Sequence, residues 1–164
     1  MSSAPYDVLN RIKSALEASG SFQYIGYFPF DVKKAIANAQ NTQTTNYATA
    51  IIEDGSEEES QQIALNGYDC IDYYISIYFY ISRNKGTSVK QLHDYETIIK
   101  TVMTTKATYT GLTGAIVTYF NSTEKGNYTT AELGEDNMIG YSDGMIGRKI
   151  NYRINMQVAR AGTC

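Results

Sequence analysis

The chain holds a single histidine, His93, set between Leu92 and Asp94. General acid–base or covalent catalysis needs a positioned partner, a serine or cysteine activated by such a base. His93 has none in a context that marks a nucleophile, and a boundary histidine on a helix is the plainer reading. Asp69, Asp72 and Glu53 fall in strand-like stretches. They would act as an acid–base pair only if strand register set them side by side, which no spacing fixes. Five carboxylates crowd one short segment: Glu53, Asp54, Glu57, Glu58 and Glu59. Oxygen-rich clusters suit hard cations, but this one lacks the alternating ligands and fixed glycine of a calcium loop. A solvated tip is its first reading, and a negative patch for a basic partner its second. Gly111-Leu112-Thr113-Gly114 follows a helical pattern rather than a strand, the wrong order for a phosphate cradle. Asn121-Ser122-Thr123 and Asn127-Tyr128-Thr129 fit the glycosylation pattern, which carries weight only in a secreted chain. The residues therefore predict no catalytic group, no metal site and no cofactor.

What the remaining residues can do depends on the elements that hold them. From Tyr6 to Ala18, the residues Val8, Leu9, Ile12, Ala15 and Leu16 recur at helical spacing, with Gly20 just past the end. Phe22 to Phe28 is an aromatic strand stopped by Pro29. Val32, Ala35, Ile36 and Ala39 allow a short helix before a polar loop. Tyr47 to Glu53 predicts a second strand, and Asp54 to Ser60 a turn with an acidic crest. The longest strand is predicted from Tyr68 to Ser82. Ile71, Tyr73, Ile75, Ile77, Phe79 and Ile81 alternate there with Cys70, Asp72, Tyr74, Ser76, Tyr78 and Tyr80, the period of a strand. A helix from Ser88 to about Lys106 carries the stripe Val89, Leu92, Tyr95, Ile98, Ile99, Val102 and Met103. Ala115 to Asn121 and Arg148 to Arg160 are further strands, and residues 123–147 read as a long loop or extended arm. The expectation is one α+β domain over residues 1–164. Its sheet should have about five strands, mostly antiparallel, with two helices on one face and the order α-β-β-β-α-β-β.

Composition narrows the function classes. The 164 residues include 15 tyrosines, 5 phenylalanines and no tryptophan, with a formal net charge of −3. No lysine–arginine cluster supplies the cations that displace counterions from a nucleic acid, so binding to one is not expected. No apolar run is long enough to span a bilayer, no leader is recognisable, and a cytosolic chain is expected. Cys70 lies in an apolar stretch and Cys164 at the terminus, which suits unpaired thiols. Tyrosine supplies contact area at small entropy cost while its hydroxyl stays bonded.

In element order, this chain resembles the tail terminator (tail completion) family of long-tailed bacteriophages, and more loosely the neck and head–tail joining proteins. The likeness lies in the helix Asp7 to Leu16 leading to the strand Phe22 to Tyr27. It continues through Ile51-Ile52-Glu53-Asp54-Gly55-Ser56-Glu57-Glu58, the long alternating strand, a helix and a two-strand finish. The resemblance implies a non-enzymatic virion protein assembled in the host cytoplasm. Such a protein forms a hexameric ring that caps the tail tube, ends tail growth and offers a docking surface to the head connector. The partners implied are copies of itself, the tube protein, the connector or neck protein, and in contractile tails the sheath protein, with DNA only in transit. A neck protein that docks the connector is the alternative, and a small ligand-binding domain or enzyme a more distant one. The candidate interface residues are the acidic Glu53, Asp54, Glu57, Glu58 and Glu59, the outward Tyr74, Tyr78 and Tyr80, and the basic Arg148, Lys149 and Arg153. The basic group is expected near an edge strand, meeting a neighbour's acidic tip.

Overall fold

The computed structural model describes residues 4–31, 33–35, 48–59, 67–82, 89–109, 115–129 and 145–159, the side chains of 4, 80–82, 89, 106–107, 115–129, 145–147 and 159 lying outside that description. The elements are α1 (Ala4–Ala18), β1 (Phe22–Phe28), β2 (Ala48–Glu59), β3 (Tyr68–Ser82), α2 (Val89–Thr104), a 3-10 turn (Lys106–Tyr109), β4 (Ala115–Thr129) and β5 (Met145–Ala159). The architecture is α+β, with a mixed sheet in the order β1-β2-β3-β5-β4. β2–β3, β3–β5 and β5–β4 are antiparallel. β1 runs parallel to β2, which corrects part of the expectation. The reason is connection length: residues 29–47 separate these strands, enough chain for a crossover where a hairpin would have forced the antiparallel pairing.

The alternation read in β3 decides where the core lies. Tyr73, Ile75, Ile77 and Phe79 join Ile150, Tyr152, Ile154 and Met156 of β5 and Ala48, Ala50 and Ile52 of β2 in one buried cluster. The helices dock on that same cluster: α1 through Val8, Leu9, Ile12 and Leu16, and α2 through Leu92, Ile99 and Met103. Removing each of these larger side chains from water contributes about 1.5–3 kcal/mol. Tyr95 of α2 fixes the helix over the sheet, its ring lying 5.6 Å from Phe22 and 6.1 Å from Phe79. α1 stops at Ser19, whose hydroxyl donates to the Leu16 carbonyl at 2.6 Å, and Gly20 follows with φ at +69°. The 3-10 turn closes the end of α2: Thr108 Oγ1 donates to the Val102 carbonyl and Tyr109 OH to the Met103 carbonyl, both at 2.8 Å. These are carbonyls that the last turn of a helix leaves without partners.

Two expectations about strand ends are corrected. The segment Asp54 to Glu59 is not a turn; β2 continues through it, with Glu57, Glu58 and Glu59 opposite Tyr73, Asp72 and Ile71. A bulge between Asp54 and Glu57 makes this possible, and a β-carbon on Gly55 would stand 2.2 Å from the Tyr74 carbonyl oxygen. Glycine is the residue that lets the backbone come that close. The expected long arm also shrinks, because β4 extends through Thr129 and β5 begins at Met145. Polar residues mask strand character there, and register shifts between Val117 and Tyr119 and between Ser122 and Glu124 break the alternation. Residues 130–144 lie outside the described set, as do most of the predicted short helix after Phe30, of which 33–35 are helical.

Candidate functional site

The carboxylates and tyrosines singled out in the sequence meet along the β2–β3 pair. Parity and the bulge bring them together: Glu53 lies opposite Ser76, and Glu58 opposite Asp72. Tyr78 OH donates to Glu53 Oε2 at 2.6 Å, Tyr74 OH to Glu58 Oε2 at 3.3 Å, and Tyr73 OH to Asp54 Oδ1 at 2.5 Å. Three of the five carboxylates therefore have an internal tyrosine partner. Burial, then the bond to Asp54 and its charge, pushes the Tyr73 phenol well above its ordinary value. The half-buried Tyr74 phenol is also raised, chiefly by desolvation, then by the charge of Glu58 and the bond to it.

Tyr78 differs from the outward residue expected. It is only 5% exposed: its ring stacks on Phe28 with centroids 5.6 Å apart, and Lys149 Nζ lies 5.3 Å from its centre. Tyr80 sits on β3 opposite Thr49 and Gly147, with its side chain outside the described set. What remains at the surface is the strand end itself, with every residue from Asp54 to Glu59 exposed. β1 pairs with β2 only as far as Glu53, so along Asp54–Glu59 the outer edge of β2 has no strand beside it among the described residues.

The basic residues of β5 occupy other positions than expected. β5 is an interior strand between β3 and β4. Arg148 faces the helices and is buried, its Nη1 standing 2.5 Å from Glu96 Oε2 of α2. This ion pair was legible in part, since Arg148 shares the parity of Ile150 and Tyr152, but Glu96 gave no sign of leaving the solvated face of its helix. Arg153 Nη2 donates to Asp72 Oδ2 at 2.9 Å. Arg148 is therefore withdrawn from the candidate interface, and Arg153 is engaged within its own chain.

The sheet face opposite the helices carries a polar network. Asn155 Nδ2 donates to Asp72 Oδ1 at 2.9 Å and to Cys70 Sγ at 3.4 Å, and Gln157 Nε2 reaches the same sulfur at 3.3 Å. Asn155 is 0% and Gln157 4% exposed, so this part of the face is closed. Thr49 Oγ1 is buried without a hydrogen-bond partner among the described residues. Cys70 is a buried free thiol, while Cys164 lies outside the described set.

The other candidates for chemistry stay apart. His93 is exposed on α2, and its carbonyl accepts a hydrogen bond from Thr97 Oγ1 at 2.9 Å. Asp69 and Asp72 alternate onto opposite faces of β3, Asp69 exposed and opposite Val158, Asp72 buried and opposite Asn155. Among the described residues, no group of three or more His, Cys, Asp or Glu could hold a metal ion, and no helix is long and apolar enough to cross a membrane. No protein-family model matches this chain, and no curated protein sequence matches it either.

Proposed function

We propose that this chain is a structural assembly subunit that works by gripping copies of itself and neighbouring proteins, in the manner of a phage tail terminator. The observation that carries the reading is the end of β2. Six consecutive exposed residues, Asp54–Glu59, continue as paired strand past the last partner on β1. An open strand edge is a template for another chain, and charge and a bulge on that edge restrict which chain can add. Four carboxylates, Asp54, Glu57, Glu58 and Glu59, bias it toward a cationic partner. The internal bonds to Tyr73 and Tyr74 hold two of them in place beforehand, which lowers the ordering cost of docking.

On this reading, copies close a ring by heterologous contacts. The ring ends growth of a tail tube and presents a surface to the head connector. The partners are therefore the chain itself, the tube protein and the connector, with no turnover and no cofactor. Tail assembly in the absence of the chain is the test: overlong tails are the expected result. Tails of normal length that fail to join heads would reassign it to the neck, and unaltered particles would end the proposal.

A further inference from the structure

The sheet ends differently on its two sides. On one side β1 accompanies β2 only as far as Glu53, so Asp54–Glu59 runs on with no strand along its outer edge among the described residues. Every residue of that stretch is exposed. On the other side β4 pairs with β5 along its inner edge, from Ala115 to Thr129, and no described strand lies along its outer edge. Each such edge offers backbone amides and carbonyls that a further strand can satisfy.

The two edges match in height and in direction. Across the ladders, Asp54 is level with Ile75, Tyr152 and Ser122, and Glu59 with Ile71, Met156 and Val117. Residues 117–122 of β4 therefore stand at the height of Asp54–Glu59, on the far side of the sheet. Three antiparallel steps separate β2 from β4, so the two strands run in opposite directions. Copies related by rotation about an axis along the strands keep both height and direction. The β2 end of one copy then faces the 117–122 segment of the next as an antiparallel neighbour. The irregularity in β4 between Ser122 and Glu124 falls at the height where β1 ends opposite Glu53, and a bulge there turns the strand aside from β1.

We infer that the exposed end of β2 pairs through main-chain hydrogen bonds with the outer edge of β4, residues 117–122, of a second copy. The inference rests on the self-assembling reading above and names the contact within it. The two edges are unlike and lie on opposite sides of the sheet, so the contact is heterologous and every copy carries one of each. Charge excludes the alternative of two β2 ends paired about a two-fold axis. That would set Asp54, Glu57, Glu58 and Glu59 beside the same four carboxylates, and like charges across a ladder destabilise it. Residues 117–122 read Val-Thr-Tyr-Phe-Asn-Ser and bring no charge. Side chains of a strand project above and below the sheet rather than along its edge. The carboxylates thus stay open to a cationic group of a further partner.

Hydrogen exchange read by mass spectrometry, below and above the concentration of self-association, tests this on the unaltered chain. Outward-facing amides of 54–59 and of 117–122 should both exchange at least about tenfold more slowly in the assembled protein. Photo-crosslinking of Glu57→p-benzoylphenylalanine is the second readout, with circular dichroism unchanged because Glu57 is exposed. Mixed isotope-labelled and unlabelled chains should give a cross-link from position 57 to a β4 peptide of another copy. Association without slower exchange in either segment, or a cross-link to any part of the neighbour other than β4, overturns the contact while the assembly reading stands. A chain that stays monomeric at every concentration overturns both.

Discussion

The ion pair between Glu96 and Arg148 gives the sharpest quantitative test of the interior. Its side chains are 11% and 10% exposed, its charged atoms are 2.5 Å apart, and it ties α2 to β5 through the apolar cluster. Removing one member leaves a charge without its main compensation where water cannot replace it, at a cost of about 3–5 kcal/mol. That is a large share of the roughly 5–15 kcal/mol that holds a typical domain together. At about 2–4 °C per kcal/mol for a chain of this size, Arg148→Met or Glu96→Leu should lower Tm by about 6–20 °C. The double variant should recover most of the loss, since two apolar side chains of similar volume suit the site at least as well as the pair. The surface pair Lys90–Asp94, 83% and 54% exposed, is the internal control. Lys90→Ala should cost less than about 0.5 kcal/mol. Tyr152 offers a second readout: its phenol is raised first by burial and then by the charge of Glu96. In Glu96→Gln it should ionise at lower pH, followed by tyrosinate absorbance. Urea unfolding of the four-member cycle is the assay. A cost below about 1 kcal/mol for either single variant would refute the reasoning, because it would mean the guanidinium remains in water and can meet another molecule.

Gly55→Ala should destabilise the chain by about 1–3 kcal/mol in urea unfolding, because its β-carbon would collide with the Tyr74 carbonyl at the bulge. Tyr78→Phe should cost about 1.5–3 kcal/mol by losing a 2.6 Å bond to a carboxylate while keeping the stack on Phe28. In alkali, stability should fall as pH rises above about 10, the ordinary tyrosine value. Burial raises Tyr24, Tyr73, Tyr109 and Tyr152 and pushes Tyr27 up to about 12, so the unfolded chain releases these protons first. The stability these phenols contribute is intact below pH 10 and is lost as pH climbs through their folded values. Unfolding midpoints at a series of alkaline pH values, together with tyrosinate absorbance, check the direction. Cys70 should resist a thiol reagent until unfolding, in contrast with an accessible thiol.

The parts of the fold that were legible in the sequence are those where one period dominates. β3 was read from Tyr68 to Ser82 because strict alternation of apolar and polar-aromatic residues has one structural meaning, and the helical stripes of α1 and α2 were equally plain. β2 was cut short because Asp54 to Glu59 has turn composition; only pairing with β3 and the room left by Gly55 make it strand. β4 was cut short for a related reason, since Asn121, Glu124, Lys125, Gly126 and Asn127 carry little strand propensity by themselves and depend on the long partner β5. The parallel β1–β2 pairing left no local mark, because direction depends on the path of the connecting chain.

The candidate site was legible as a composition but not as a geometry. That acids and tyrosines meet was hidden by reading Asp54 to Ser60 as a turn, since only its pairing with β3 sets the two groups side by side. Which of them stay exposed was hidden as well, because the ring of Phe28 and the ammonium of Lys149 reach Tyr78 across the sheet. The cations were expected near an edge strand because strand order, which places β5 inside the sheet, is a property of the whole chain, and of the three it is Arg148 that burial takes out of reach.

Everything proposed for this chain depends on its surfaces holding copies of it together. The most direct measurement is the mass of the purified protein in solution by sedimentation or mass photometry, across concentrations and with electron micrographs of the same samples. The account predicts a concentration-dependent shift from monomer to one closed species, visible as rings. A single monomeric mass at every concentration, with no rings, would contradict it.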